Sequence, residues 1–87
     1  MLEEVKRRCG IAPGVKVYDS DIQLYIEDAE QDLMASGVPP DLVKDRTPAV
    51  ITAVSLYVKA LIGNDRTDTE KYMDLYRKKV FRLTLEG

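Results

Sequence analysis

Chemistry in this chain would have to come from carboxylates and one lysine. Histidine is absent, which removes the commonest general base and metal ligand. Cys9 has no second cysteine to pair with, so it forms no internal disulfide, and a zinc site is excluded. Five carboxylates remain within twelve residues: Asp21, Glu27, Asp28, Glu30 and Asp32. Such a group offers Mg²⁺ ligands or an acid/base pair. The other candidate is Lys59, set inside the apolar stretch "SLYVKALIGND" at residues 55–65.

Both candidates have a simpler reading. The carboxylates share the outer face of an amphipathic helix, where a solvated acidic surface is the usual state. Lys59 falls on one strip with Thr52 and Ser55, so its stem covers apolar surface while its ammonium reaches water, an acidic neighbour or another subunit. Cys9 reads as a buried or half-buried inert thiol in a reducing compartment. Gly10, Gly14, Gly37 and Gly63 fall singly at helix ends, not in a loop that cradles phosphate. No enzyme, cofactor or metal site is expected.

The elements that position these residues are helices. Leu2 to Cys9 forms a short first helix with Glu3 and Glu4 in its first turn and Lys6, Arg7 and Arg8 in its last, matching the helix dipole. Gly10 is a natural C′ residue. A connector with a Pro13-Gly14 turn leads to a second helix at Asp19-Ser20, where Ser20 and Gln23 match a capping box. Its apolar stripe is Ile22, Tyr25, Ile26, Ala29 and Leu33, at spacings of three and four. Its other face is acidic without a single base, and Leu24 projects to that side. The helix ends at Ser36-Gly37 before Pro39-Pro40. Residues 37–46 form a linker, with a candidate single turn of helix at Asp41 to Lys44.

Thr47 as N-cap and Pro48 at N1 open the third helix. Val50, Ile51, Ala53, Val54, Leu56, Tyr57, Val58, Ala60, Leu61 and Ile62 cover most of its circumference, so it is predicted to be the core around which every other helix packs. A fourth helix starts at the capping box Thr67 to Glu70 and runs to Leu83, burying Tyr72, Met73, Leu75, Tyr76, Val80 and Leu83. Arg77, Lys78, Lys79 and Arg82 crowd its end, and Phe81 projects away from the buried stripe. The expected fold is all-α, a single four-helix bundle-like domain over residues 1–87 with a central apolar third helix.

Length and charge set further bounds. A chain of 87 residues buries only about 60–65% of its unfolded surface, which leaves a thin core. Its longest nearly apolar segment, Ala49 to Ile62, is shorter than the ~20 residues that span a bilayer. The opening residues carry no signal-peptide pattern, so a soluble protein without a membrane partner is expected. The net charge of −2 hides an asymmetry. Residues 1–43 carry nine acidic and four basic side chains, net −5, and residues 44–87 six acidic and nine basic, net +3. Such halves complement each other within the chain or between copies.

A DNA-binding reading would set Arg77, Lys78, Lys79 and Arg82 on phosphates. These bases lie at the wrong end of the last helix, whose first turn, Thr67-Asp68-Thr69-Glu70, repels phosphate. A pI near 5.1 also opposes an interaction dominated by phosphate neutralisation. The large apolar residues Leu24 and Phe81, on faces a monomer exposes, point instead to self-association. The acidic second helix of one copy would meet the basic end of the last helix of the next, a head-to-tail contact. The subunit-interface candidates are therefore Leu24, Asp28, Lys59, Lys78, Phe81 and Arg82.

Four stretches in this order resemble the small head–tail connector, or DNA-packaging adaptor, proteins of long-tailed bacteriophages and prophages. They are "MLEEVKRRCGI", "DSDIQLYIEDAEQDL" (Asp19 to Leu33), "AVITAVSLYVKALIGND" (Ala49 to Asp65) and "YMDLYRKKVFRLTL". The proline-bearing linker Val38 to Arg46 departs from the family pattern. The resemblance implies a helical virion protein, made in the bacterial host cytoplasm and placed at the head–tail junction of the capsid vertex. It implies a ring of identical copies, a dodecamer on the portal, that joins the portal protein to a tail-completion protein. DNA would pass through during packaging without sequence readout. An acidic second helix suits either a lumen that does not grip phosphate or a contact with the neighbouring subunit. No catalytic or binding residue carries over. A small helical protein-interaction or DNA-binding regulatory domain is the alternative.

Overall fold

A computed structural model describes residues 1–63 and 66–86, with the side chain of residue 66 set aside. It contains α1 (Leu2–Arg8), α2 (Asp19–Ala35), α3 (Pro40–Asp45), α4 (Pro48–Ile62) and α5 (Arg66–Thr84), and no strand among the described residues. The all-α expectation holds, with five helices in place of four.

The extra helix is α3, in the segment expected to be a linker. Pro40 stands at its N1 position and Arg46 ends it in the left-handed region, at φ 50° and ψ 53°. Proline at N1 presets the helical φ and lacks only an N–H that would have no partner there. Val38 and Val43 are buried, which presses this short helix onto α2.

α4 is the centre. Val50, Ala53, Val54 and Val58 are wholly buried on it, and α1, α2 and α5 all pack against it. Only α3 departs from the expected arrangement, resting mainly on α2. The α2 stripe Ile22, Ile26, Ala29 and Leu33 is likewise buried, with Tyr25 half-buried at its edge. From α5, Tyr76, Val80 and Leu83 complete the core, with Met73 packed against it. Leu75, expected inside, is 39% exposed. The buried stripe is centred on Tyr76 and Val80, and Leu75 lies about 100° round the helix from Tyr76.

Helix ends follow local chemistry at three of the predicted places. The Val50 N–H donates to Thr47 Oγ1 at 3.3 Å, the N-cap bond expected. Gly10 and Gly37 take positive φ, 75° and 101°, and both close Schellman motifs. Ile11 N–H donates to the Lys6 carbonyl at 2.9 Å and Gly10 N–H to that of Arg7 at 3.1 Å. Val38 N–H donates to the Leu33 carbonyl at 3.0 Å and Gly37 N–H to that of Met34 at 3.1 Å. These bonds satisfy carbonyls that the helix itself leaves without partners.

The Ser20–Gln23 capping box does not form. The N-cap falls two residues earlier, at Tyr18, with no side-chain capping bond. Asp19 is drawn instead into an ion pair with Lys6, at 2.8 Å. Asn64 and Asp65, the end of the 55–65 stretch, lie outside the described residues. α5 already begins at Arg66, so Thr67 stands inside its first turn and not at the start expected for it.

Candidate functional site

The interface candidates sit on three separate surfaces. The first is the outer face of α2. Asp21, Glu27, Asp28 and Gln31 are exposed there, and Leu24 among them is 59% exposed. The α2 sequence contains no Lys or Arg, so no base of its own offsets the acids on this face. Asp32 is the exception, because it accepts a hydrogen bond from the Tyr76 hydroxyl at 2.6 Å.

That bond ties α2 to α5 and shapes the electrostatics nearby. Burial foremost, then the bond to Asp32 and its charge, hold the Tyr76 phenol protonated well above its ordinary range. Tyr57 meets the Tyr76 ring edge-on, with centroids 5.2 Å apart. Its own phenol is pushed up by burial first, then by the charges of Asp28 and Asp32.

The second surface is the end of α5. Phe81 and Leu85 are 66% and 70% exposed, and with Arg77, Lys78 and Arg82 they line a shallow depression. Lys78 also pairs with Asp74 at 3.1 Å, both largely exposed, so that bond contributes little. Lys78, Phe81 and Arg82 are thus brought together as expected.

Lys59 stands apart from the other five. Its ammonium lies 5.4 Å from the centre of the Tyr72 ring, a cation–π distance. A small hollow here is lined by Arg8, Thr52, Ser55, Leu56 and Lys59. Arg8 Nη1 donates to Thr52 Oγ1 at 2.6 Å, and the buried Ser55 hydroxyl donates back to the Ile51 carbonyl at 2.8 Å. Burial pushes the Cys9 thiol up, with the charge of Lys59 opposing it more weakly. A thiol held protonated is a poor nucleophile. The polar strip of α4 is therefore packed and internally bonded.

Two features went unread in the sequence. Lys6, placed with Arg7 and Arg8 as a dipole-matching base, is 1% exposed. Its ammonium donates to the Val15 carbonyl at 2.7 Å and the Pro13 carbonyl at 3.3 Å. Asp19 Oδ1 accepts no well-aligned hydrogen bond, so its contact with Lys6 at 2.8 Å is ionic. The second feature is a groove of about 430 Å³ between the start of α2 and the end of α4, lined by Ile11, Tyr18, Asp21, Ile22, Tyr25, Leu61 and Ile62. Val17, Tyr18 and Leu61 are exposed beside it or within it. The Val15–Val17 alternation was a faint signal, and Leu61 had been assigned to the core.

No group of His, Cys, Asp or Glu among the described residues is arranged to hold a metal ion. No helix among them is long and apolar enough to cross a membrane. The surfaces that remain, apolar residues ringed by charge, suit contact with other proteins. A family model described as "Phage connector protein" matches residues 1–87. The chain belongs to the phage connector protein family. Neither curated proteins nor solved structures showed a match. Membership bears out the resemblance seen in the sequence and makes this connector a structural component of the virion that works against other virion proteins.

Proposed function

We propose that the connector acts as one domain and assembles with its own copies into a ring at the capsid vertex. The ring joins the portal protein to a tail-completion protein and serves DNA packaging and head completion. The observation that carries this reading is the pairing of two unlike exposed surfaces on one chain. Leu24 and Asp28 lie on a helix with no base, and Lys78, Phe81 and Arg82 lie on a helix end rich in bases. Unlike surfaces on one subunit give head-to-tail contacts, which close into a ring where the rotation permits. Lys59, at the margin of its own hollow, is a further contact residue toward a neighbour. DNA passes through without sequence readout, since Arg77, Lys78, Lys79 and Arg82 crowd the C-terminal half of α5 and not the turn a recognition helix presents.

Co-expression with the portal protein of the same genome tests this, with electron microscopy of the purified complex. Copies of the connector arranged in a ring on the portal are expected. A chain that joins neither the portal nor itself, and instead retards a DNA fragment at moderate salt, would favour a regulatory DNA-binding domain.

A further inference from the structure

The groove between α2 and α4 sets the exposed Tyr18 and Leu61 and the half-buried Ile11, Tyr25 and Ile62 over the buried Ile22, with a carboxylate, Asp21, on its lining. The end of α5 carries two largely exposed apolar side chains, Phe81 and Leu85, which share a shallow depression with Arg77 and Arg82. The two surfaces both expose apolar side chains and carry opposite charge, an acid on the groove against bases at the end of α5. Within one chain they cannot meet. A Cβ built on Gly37 would stand 3.7 Å from Thr84 Cγ2, so α5 ends beside the C-terminal end of α2. The groove lies at the N-terminal end of α2, about 24 Å away at 1.5 Å per residue from Asp21 to Gly37.

We infer that the end of α5 of one connector seats in the α2–α4 groove of a second copy. Phe81 and Leu85 enter between Tyr18, Tyr25 and Leu61, and Arg82 faces Asp21, with Leu24 and Asp28 extending the contact along α2. This rests on the ring reading and deepens it by naming the junction. It also assigns the acidic face of α2 to a neighbouring subunit instead of a lumen. The contact is heterologous, because the groove and the end of α5 are different surfaces at opposite ends of α2. Burial of an aromatic anchor supplies affinity, while the flanking charges set the orientation and make the contact weaken with salt.

The test uses amide chemical shifts of the full chain from micromolar to millimolar concentration at low salt. Concentration-dependent shifts are expected at residues 11–25, 61–62 and 77–85. Asp21→Arg alone and Arg82→Asp alone should each weaken self-association by about tenfold or more, since each sets like charges against each other. Mixing the two variants should restore it, because every junction in an alternating array then pairs opposite charges. Spectra that do not change with concentration overturn the inference. So do shifts confined to other surfaces, or association that survives both substitutions, or a groove that responds only to added portal protein. Rings of either variant seen intact on the portal would sink this junction while leaving the ring standing. Wild-type chains that form no ring there would sink the ring reading itself.

Discussion

Lys6 shows how far one side chain can depart from what its neighbours in sequence imply. An ammonium at 1% exposure is tolerated because two carbonyls and the Asp19 carboxylate replace its water. Those partners belong to the 10–19 segment, so this one residue holds the α1–α2 connector in place. Lys6→Met should destabilise the fold by about 3 kcal/mol, because it leaves the sealed Asp19 oxygen without its counter-charge. Adding Asp19→Asn should recover part of that loss, as read from urea midpoints at constant slope. The tyrosine pair makes a second residue-scale prediction. Tyr76 and Tyr57 keep their protons in the folded chain above the pH at which an unfolded tyrosine, near 10.0, loses its own. The unfolded state then binds fewer protons than the folded one, so stability is full below that pH and falls as pH rises above it. Tyr76→Phe should cost about 1 kcal/mol at neutral pH through the lost bond to Asp32. It should also flatten the alkaline decline seen in denaturant titrations.

Among the elements, the helix ends were the best-specified feature and the linker the worst. Gly10 and Gly37 mark their Schellman motifs because a positive φ is costly for any residue with a Cβ. Gly37→Ala should therefore cost about 1–2 kcal/mol from backbone strain alone. The built Cβ makes only ordinary contact with Thr84, so a thermal-melt loss well beyond that range would show that packing at the α2–α5 corner is tighter than described. Of α3, the sequence offered only a single turn at Asp41 to Lys44, within what is a helix from Pro40 to Asp45. Six residues are too few to declare a period, and a helix that short forms only where tertiary contacts hold it, here through Val38 and Val43. The Ser20–Gln23 box failed for a related reason. A local capping pattern competes with a tertiary ion pair, and Asp19 with Lys6 won.

On the scale of the whole molecule, charge and exposed apolar residues are sorted by end. The groove with Asp21 lies at one end and the basic, apolar end of α5 at the other, with the acidic α2 face running between them. Leu24→Asp and Phe81→Asp remove large side chains that make little contact within the chain, so each should change stability by no more than about 0.5 kcal/mol. Each should nonetheless lower the mass of assemblies measured by light scattering. A loss of several kcal/mol would instead place that residue in the core. Assembly should also weaken between low and physiological salt, because exposed charges more than about 8–10 Å apart are screened.

The sequence by itself determined the helical class, the central place of the apolar 48–62 segment, the exposure of Leu24 and Phe81, and the family. All of these follow from local periodicity, from glycine and proline at helix ends, or from the order of motifs along the chain. Tertiary structure alone decided the burial of Lys6, the tie between Tyr76 and Asp32, and the groove of Ile11, Tyr18, Tyr25 and Leu61. Each of these joins residues from segments that meet only when the helices pack. No pattern within one helix reports which polar group a distant segment will cover.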